Sequence, residues 1–436
     1  ELSLFMILLK RENSHLFHKT QCILDTANGN RHSIIRTFFF ASRLFGTKLP
    51  LQILAVNGVP KLESTVSKLV FHANTDPTLG VEIELGLVDS QSMSLSSSIG
   101  QVMAAVPSEF EGEIKSELMQ CYLEINTKVC QTVSQAESDL SEKILLLEQI
   151  TRNCNLNLLW GATHPFSRWH DQKVTPDPRY HGLVELLQDM ARRLVTFGLH
   201  VHIGVDSGDK AIMICDQILE YIPTLLALSC NSPFWCNRKT GLHSIRSKIL
   251  EGLPTAGLPP VMRNWTEYTW LVNHLIQTGF INTVREIWWD VRPHHQFGTV
   301  EVRVCDIPGN LHDTLGLVAL VQCLVKTLSD RIDRGTYQSE HHSMMVRQNK
   351  WRACRFGVHA QLVDSSTYEV RSVEQITERL ITMVMPVARQ LDCESFLERV
   401  RMLAKGPDWA DRQLTTRQNN PNPEALVKWM TLQSKL

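Results

Sequence analysis

Residues Thr78–Asp89 read TLGVEIELGLVD, and the alternation in this stretch decides the fold. Val81, Ile83, Leu85 and Leu87 fall on one side of an extended chain, and Glu82, Glu84 and Gly86 on the other, because successive side chains of a strand point to opposite faces. A parallel sheet covered on both faces would read as a continuous apolar run. The stretch therefore predicts a strand of an antiparallel sheet with one apolar and one polar face.

The same pattern returns along the chain. Leu118–Thr127 is expected as a second strand carrying Glu124, with Glu117 just ahead of it, and Asn155–Gly161 as a third. Leu199–Val205, within GLHVHIGV, puts His200 and His202 on one face, and Gly298–Asp306, GTVEVRVCD, does so for Glu301 and Arg303. Another strand is expected around Trp288. Helical periodicity marks Ser134–Asn153, where Leu140, Ile144, Leu147 and Ile150 form a stripe, then Tyr180–Phe197, Asp209–Leu228, Leu311–Asp333 and most of Val373–Met402. The fold class that follows is α+β: an antiparallel sheet with helices packed on one face.

Composition narrows the function classes. The chain has 436 residues, 44 basic and 45 acidic, with 43% apolar and 20% charged residues. That balance excludes a disordered chain and a strongly basic nucleic-acid binder. Eleven cysteines without a CxxC pair argue against a disulfide framework or zinc ribbon and for buried thiols in a reducing, cytoplasmic setting. No run suggests a membrane span. Residues 1–65 differ from the rest. Ile35–Lys48 is basic and aromatic, but Glu1, Glu12 and Asp25 interrupt the acid-poor pattern of a transit peptide. This extension is left unassigned, as either disordered or targeting, and residues 66–436 are expected to form one catalytic domain.

The polar strand faces carry the chemistry. Glu82 with Glu84, Glu124 with Glu117, His200 with His202, and Glu301 with Arg303 come from separate segments. Carboxylates crowded on one face raise one another's pKa, and divalent cations relieve that repulsion. Oxygen ligands with one or two histidines suit Mg²⁺ or Mn²⁺ better than Zn²⁺. Each element alone has a plainer reading: a solvated strand face, a core histidine pair, or a surface ion pair of little energetic weight. It is their joint recurrence that points to a site. A second set is basic and aromatic: Arg246 in KTGLHSIR, Arg292 in WWDVRP, and Asn349 with Arg355 in NKWRACRFG. Arginine grips carboxylate or phosphate with two prongs. Cation-holding acids opposite anion-holding arginines describe phosphoryl transfer, and the chain has no Walker A loop to hold phosphates instead.

TLGVEIELGLVD, GLHVHIGV, WWDVRP with GTVEVRVCD, and NKWRACRFG, in that order, resemble the glutamate–cysteine ligase type 2 family of carboxylate-amine ligases. The resemblance runs from about Phe71 to the C-terminus. It implies a glutamine synthetase-like catalytic domain, with a funnel-shaped antiparallel sheet entered by ATP from one end and glutamate from the other. By resemblance Glu82, Glu84, Glu117, Glu124, His200 and Glu301 are metal ligands. Arg303 faces the transferring phosphate, and with Glu301 is taken as catalytic. His202 contacts nucleotide or substrate, Arg246 and Arg292 the substrate carboxylate, and Asn349 and Arg355 belong to a substrate-binding motif of open role.

The activity implied is ATP-dependent formation of γ-glutamylcysteine through γ-glutamyl phosphate, with Mg²⁺ or Mn²⁺. The partners are small molecules: ATP, glutamate and an amine such as cysteine. No nucleic acid or membrane is expected, and a homodimer is left open. Three positions depart from the family pattern: Ile83 where a Glu is usual, Lys239 where an Asp is usual, and Gln348 where an acid is usual. Two alternatives remain at this level. One is a metal-dependent amidohydrolase, suggested by H-x-H on a strand and requiring regular βα repeats. The other is an inactive, ligase-derived binding protein, suggested by Lys239 and Gln348.

Overall fold

A computed structural model describes residues 69–337, 341–365 and 367–433. The expectations for residues 1–65 therefore lie outside the described residues. The main sheet has seven strands: β1 (Leu79–Asp89), β2 (Ile114–Ser116), β3 (Tyr122–Asn126), β4 (Leu156–Leu159), β5 (Leu199–Gly204), β6 (Val291–His294) and β7 (Thr299–Val302). Their order is β6-β7-β5-β1-β3-β2, with β4 paired to the end of β1. Every pairing in this sheet is antiparallel. The fold is α+β, as the alternation in β1 required. An amidohydrolase barrel needs parallel strands in βα repeats, so this topology removes the ground for that alternative.

The apolar faces of the strands form the core. Ile83, Leu85, Leu87, Leu199, Ile203, Val300 and Val302 are fully buried. Among the helices of the described residues are α1 (Val133–Asn153), α2 (Gly208–Ile218), α3 (Ile222–Ser229), α4 (Ile245–Leu250), α5 (Trp265–Gln277), α6 (Leu311–Asp333), α7 (Ser343–Phe356), α8 (Val373–Gln390), α9 (Glu394–Lys405) and α10 (Trp409–Asn419). Of these, α1 lies against β1 and β4, α6 against β5, and α2 against β6 and β7. Helix α6 is long and apolar enough to cross a bilayer by composition alone, but it is mostly buried inside the protein. Its apolar length is used by the core.

The structure differs from the sequence reading where helices were drawn too long. The expected helix Asp209–Leu228 is two helices bent by 66°. Pro223 opens the second, where its missing N–H costs nothing. The expected helix Tyr180–Phe197 ends at Leu187 and restarts after Gln188, whose φ of 51° is left-handed. The expected second strand begins only at Tyr122, and Glu117 sits in the connection from β2. Helix α5 had escaped notice, although Asn264 and Glu267 frame its start: the Asn264 side chain accepts from the Glu267 N–H.

Candidate active site

Strand register lays the polar face out residue by residue. Glu82 lies opposite His200, Glu84 opposite Glu124, His202 opposite Glu301, and Glu301 opposite Arg292. Five strands thereby bring the carboxylates, imidazoles and guanidinium groups into one cluster. The face is enclosed rather than washed by solvent. Glu301 is 1% exposed and Glu124, His200, His202 and Arg292 are also buried, whereas the side chains of Glu82 and Arg303 keep 22% and 17% exposure. Those two, with the partly exposed Glu84 and Glu117, mark the accessible part.

Glu301 is the anionic centre of one half. It pairs with Arg292 Nε at 2.7 Å and with Arg303 Nη1, and stands 3.7 Å from His202 Nε2. Burial alone would raise its pKa. The charges of Arg292, Arg303 and His202 outweigh burial and hold the carboxyl well below the usual range. Glu82 is also held low against burial, by His202 and His200. Its oxygens lie 3.0 Å from His200 Nδ1 and 3.2 Å from His202 Nε2. Burial and the neighbouring Arg303 charge lower the His200 pKa. In His202, burial is outweighed by Glu301 and Glu82, and the pKa rises.

The other half has weaker positive charge, an exposed Lys115 whose Nζ stands 3.7 Å from Glu124. Burial, then the charges of Glu82, Glu117 and Glu84, push Glu124 well above the ordinary carboxylate value, although Asn126 Nδ2 donates to it at 2.9 Å. Glu117 rises to about 7 for the same reasons, burial first and then Glu84 and Glu82. Glu84 accepts the Gly198 N–H at 2.5 Å. Partly protonated acids beside ionised ones form an unfinished donor set.

A divalent cation fits these residues. One ligand atom each from Glu82, Glu124 and His200, and again from Glu82, His202 and Glu301, lie within 4.8 Å of one another. His202 Nε2 is buried and makes no hydrogen bond, because its approach to Glu82 is close but misaligned. Its Nδ1 meets Thr299 Oγ1 at 3.0 Å, which turns the orphaned Nε2 toward the carboxylates, a common second-layer support for a metal-facing histidine.

The remaining sequence candidates stand in other places. Arg246 is 2% exposed. Its Nη1 and Nη2 donate to the carbonyls of Val304 and Arg303 at 3.2 and 3.3 Å, and its Nη1 lies 3.7 Å from Asp306. Arg292 is spent on Glu301 and on the Ile287 carbonyl. Asn349 exchanges two hydrogen bonds with the backbone of Val363. Arg355 lies 4.8 Å over the ring of Phe356. Lys239 and Gln348, the departures from the family pattern, are exposed.

Lys350 and Asp290 were not singled out by the sequence reading. Buried Lys350 pairs with Asp290 and Glu251 at 2.6 Å each, and the Asp290 carbonyl accepts the Arg303 N–H. This ties the NKWRACRFG helix to the strand end that carries Arg303. The only signal was proximity, since Lys350 follows Asn349 and Asp290 lies inside WWDVRP.

This α+β fold, built on an antiparallel sheet, has counterparts among solved ligase structures. A solved glutamate–cysteine ligase of Francisella tularensis, in complex with AMP, superposes with a TM-score of 0.63 at 13% identity, over 83% of this chain and 90% of that one. A bifunctional glutathione synthetase of Pasteurella multocida gives 0.60 at 13% identity, over 82% of this chain and 52% of that one. At such identities the likeness is one of fold. The sequence comparison goes further: the model of glutamate–cysteine ligase family 2 matches residues 78–428, and the chain belongs to that family. A protein of Gloeobacter violaceus, named as a candidate glutamate–cysteine ligase 2, is 40% identical over 79% of this chain and 93% of its own length. A protein of Sorangium cellulosum with the same name is 37% identical over 82% and 96%.

Proposed function

We propose that the protein is an ATP-dependent ligase joining the γ-carboxylate of glutamate to an amine, with cysteine as the first candidate and γ-glutamylcysteine as the product. The observation that carries this reading is the divided charge of the sheet face. Glu301 is held ionised between two arginines, while Glu117 and Glu124 are pushed toward protonation. Bound Mg²⁺ or Mn²⁺, held by Glu82, Glu84, Glu117, Glu124, His200 and Glu301 with His202 facing Glu82 and Glu301, would relieve the crowded carboxylates and neutralise phosphate charge.

In this reading a glutamate carboxylate oxygen attacks the γ-phosphorus of ATP, and ADP leaves. Arg303, fixed by Glu301 and still partly exposed, donates to the transferring phosphoryl oxygens. The amine nitrogen then bonds to the acyl carbon of γ-glutamyl phosphate, phosphate departs, and the nitrogen loses a proton. The enclosed face limits water, which would otherwise hydrolyse the acyl phosphate. Arg292 sets the position of Glu301, and Arg246 that of the Arg303–Asp306 backbone.

The test is ADP release with glutamate and Mg²⁺ across a panel of amines, cysteine first, with the product mass determined. ADP release that needs both glutamate and an amine supports the reading. Absence of ADP with every amine, in folded protein, would leave the ligase-derived binding protein as the better account.

A further inference from the structure

Outside the sheet face, a second group of metal-type ligands comes together where three distant segments meet. His243 precedes α4, His359 follows α7, and Asp408 and Asp411 open α10. One ligand atom each from His243, Asp408 and Asp411 lie within 4.8 Å of one another. His359 Nε2 reaches Asp411 Oδ2 at 2.7 Å. The rings of His243 and His359 have their centres 6.1 Å apart and lie nearly perpendicular. Among the described residues, no hydrogen bond or ion pair joins these four to the carboxylates of the sheet face.

His243 is held in one orientation by a buried carboxylate. Asp408, fully buried, accepts from His243 Nδ1 at 2.8 Å. The same carboxylate oxygen takes the Val358 N–H at 3.2 Å, and the other takes the Asp411 N–H at 2.8 Å. Asp408 is therefore a fixed support with its acceptor capacity in use. A carboxylate on one ring nitrogen selects the tautomer whose other nitrogen offers a lone pair, which is how ligating histidines are usually held. His243 Nε2 faces Asp411 Oδ1 at 4.0 Å. That is too long for a hydrogen bond, yet one ion with bonds of about 2.0–2.2 Å would reach both atoms after small movements.

The backbone makes room for this arrangement. Gly357 has φ of 55°, and a Cβ there would fall 1.9 Å from Asp408 Oδ2 and 2.5 Å from His243 Nδ1. Any side chain at this position would push the aspartate–histidine pair apart. The side of the group formed by His359, whose side chain is 59% exposed, opens to solvent.

We propose that His243 and Asp411, with Asp408 supporting His243 and the exposed His359 side chain turning in from the solvent side as third ligand, bind a transition-metal dication of the zinc type. Two imidazoles with one carboxylate favour such an ion over Mg²⁺, which prefers an all-oxygen shell. Three protein ligands leave a fourth position for water or another small donor.

The test uses the full chain in excess Mg²⁺, which occupies oxygen-rich sites. Zn²⁺ affinity is measured by competition with a chromophoric chelator, and Co²⁺ is added separately to read its visible absorption. The expected result is one Mg²⁺-resistant site per chain with the intense spectrum of four-coordinate Co²⁺. His359→Gln, an exposed change that leaves folding intact by circular dichroism, lowers Zn²⁺ affinity at least ten-fold. Asp408→Asn lowers it by roughly ten- to a hundred-fold, the range for loss of a supporting carboxylate. Equal Zn²⁺ affinity and stoichiometry in the parent and His359→Gln would overturn the proposal and leave two histidine–aspartate ion pairs. Loss of the site in Glu82→Gln but not in His359→Gln would assign the ion to the sheet face and overturn it equally.

Discussion

Glu82 Oε1 stands 3.2 Å from Nε2 of His202, too misaligned for a hydrogen bond, although both atoms lie on the enclosed face of the sheet. The nitrogen is left to charge attraction alone, toward Glu82 and toward Glu301 at 3.7 Å. A cation bound between them would give both atoms a directed bond.

Acids on the two halves of the face respond in opposite ways to neutralisation. Glu124→Gln removes one of several mutually repelling carboxylates, so the metal-free fold keeps or gains stability. Glu301→Gln strips Arg292 and Arg303 of their shared counter-ion, and breaking a buried pair costs roughly 3–5 kcal/mol. Both variants lose ADP formation. Thermal melts beside an ADP assay check this, and equal melting shifts would show that the two halves are not electrostatically distinct.

The part of metal-free stability that Glu117 governs falls as pH rises from 4.5 to about 7. Glu117 titrates near 7 in the folded protein against 4.5 when free. Between those values the folded state holds a proton that the unfolded chain has released, so stability drops with increasing pH across that window. Glu82 and Glu301, both depressed, act in the opposite sense, and their stabilisation is lost as pH falls through and below the ordinary carboxylate range. Added Mg²⁺ should raise the melting temperature more at pH 8 than at pH 5.5, because binding at low pH must displace protons. A Mg²⁺ shift independent of pH would count against Glu117 and Glu124 as its ligands.

Gly198→Ala tests how Arg246 is held. A Cβ at Gly198 would fall 2.1 Å from Arg246 Nη2, and the Gly198 N–H is the donor to Glu84. Overpacking of this kind costs about 1–3 kcal/mol. Arg246→Lys, which can reach only one of the two carbonyls, should lower the melting temperature and slow turnover without a selective rise in the glutamate KM. A selective glutamate effect in a protein of unchanged stability would instead make Arg246 a direct substrate contact.

Truncation before Ser67 should leave ADP formation within a few-fold. The residues that form the sheet face and its supports all lie later in the chain, and the Leu69 carbonyl that accepts from Trp265 Nε1 is retained. Loss of activity in a folded truncate would give the extension a part in the reaction.

The sequence by itself determined the antiparallel sheet, the face on which each acid and histidine lies, and the family. Strand alternation has a period of two, so Glu82, Glu84, His200, His202 and Glu301 could be assigned to polar faces from local order alone. Helix ends were less legible at Pro223 and Gln188, where the break depends on how the chain packs. Only the tertiary structure decided which polar faces meet, because register between strands far apart in sequence is set by the whole core. It opposed Glu301 to Arg292, spent Arg246 and Asn349 on backbone groups, and joined Lys350 to Asp290. It also gathered His243, His359, Asp408 and Asp411 from segments that share no periodicity. A buried guanidinium or ammonium takes whichever acceptors the fold closes around it, and that choice is a property of packing in three dimensions, which spacing along the chain does not record.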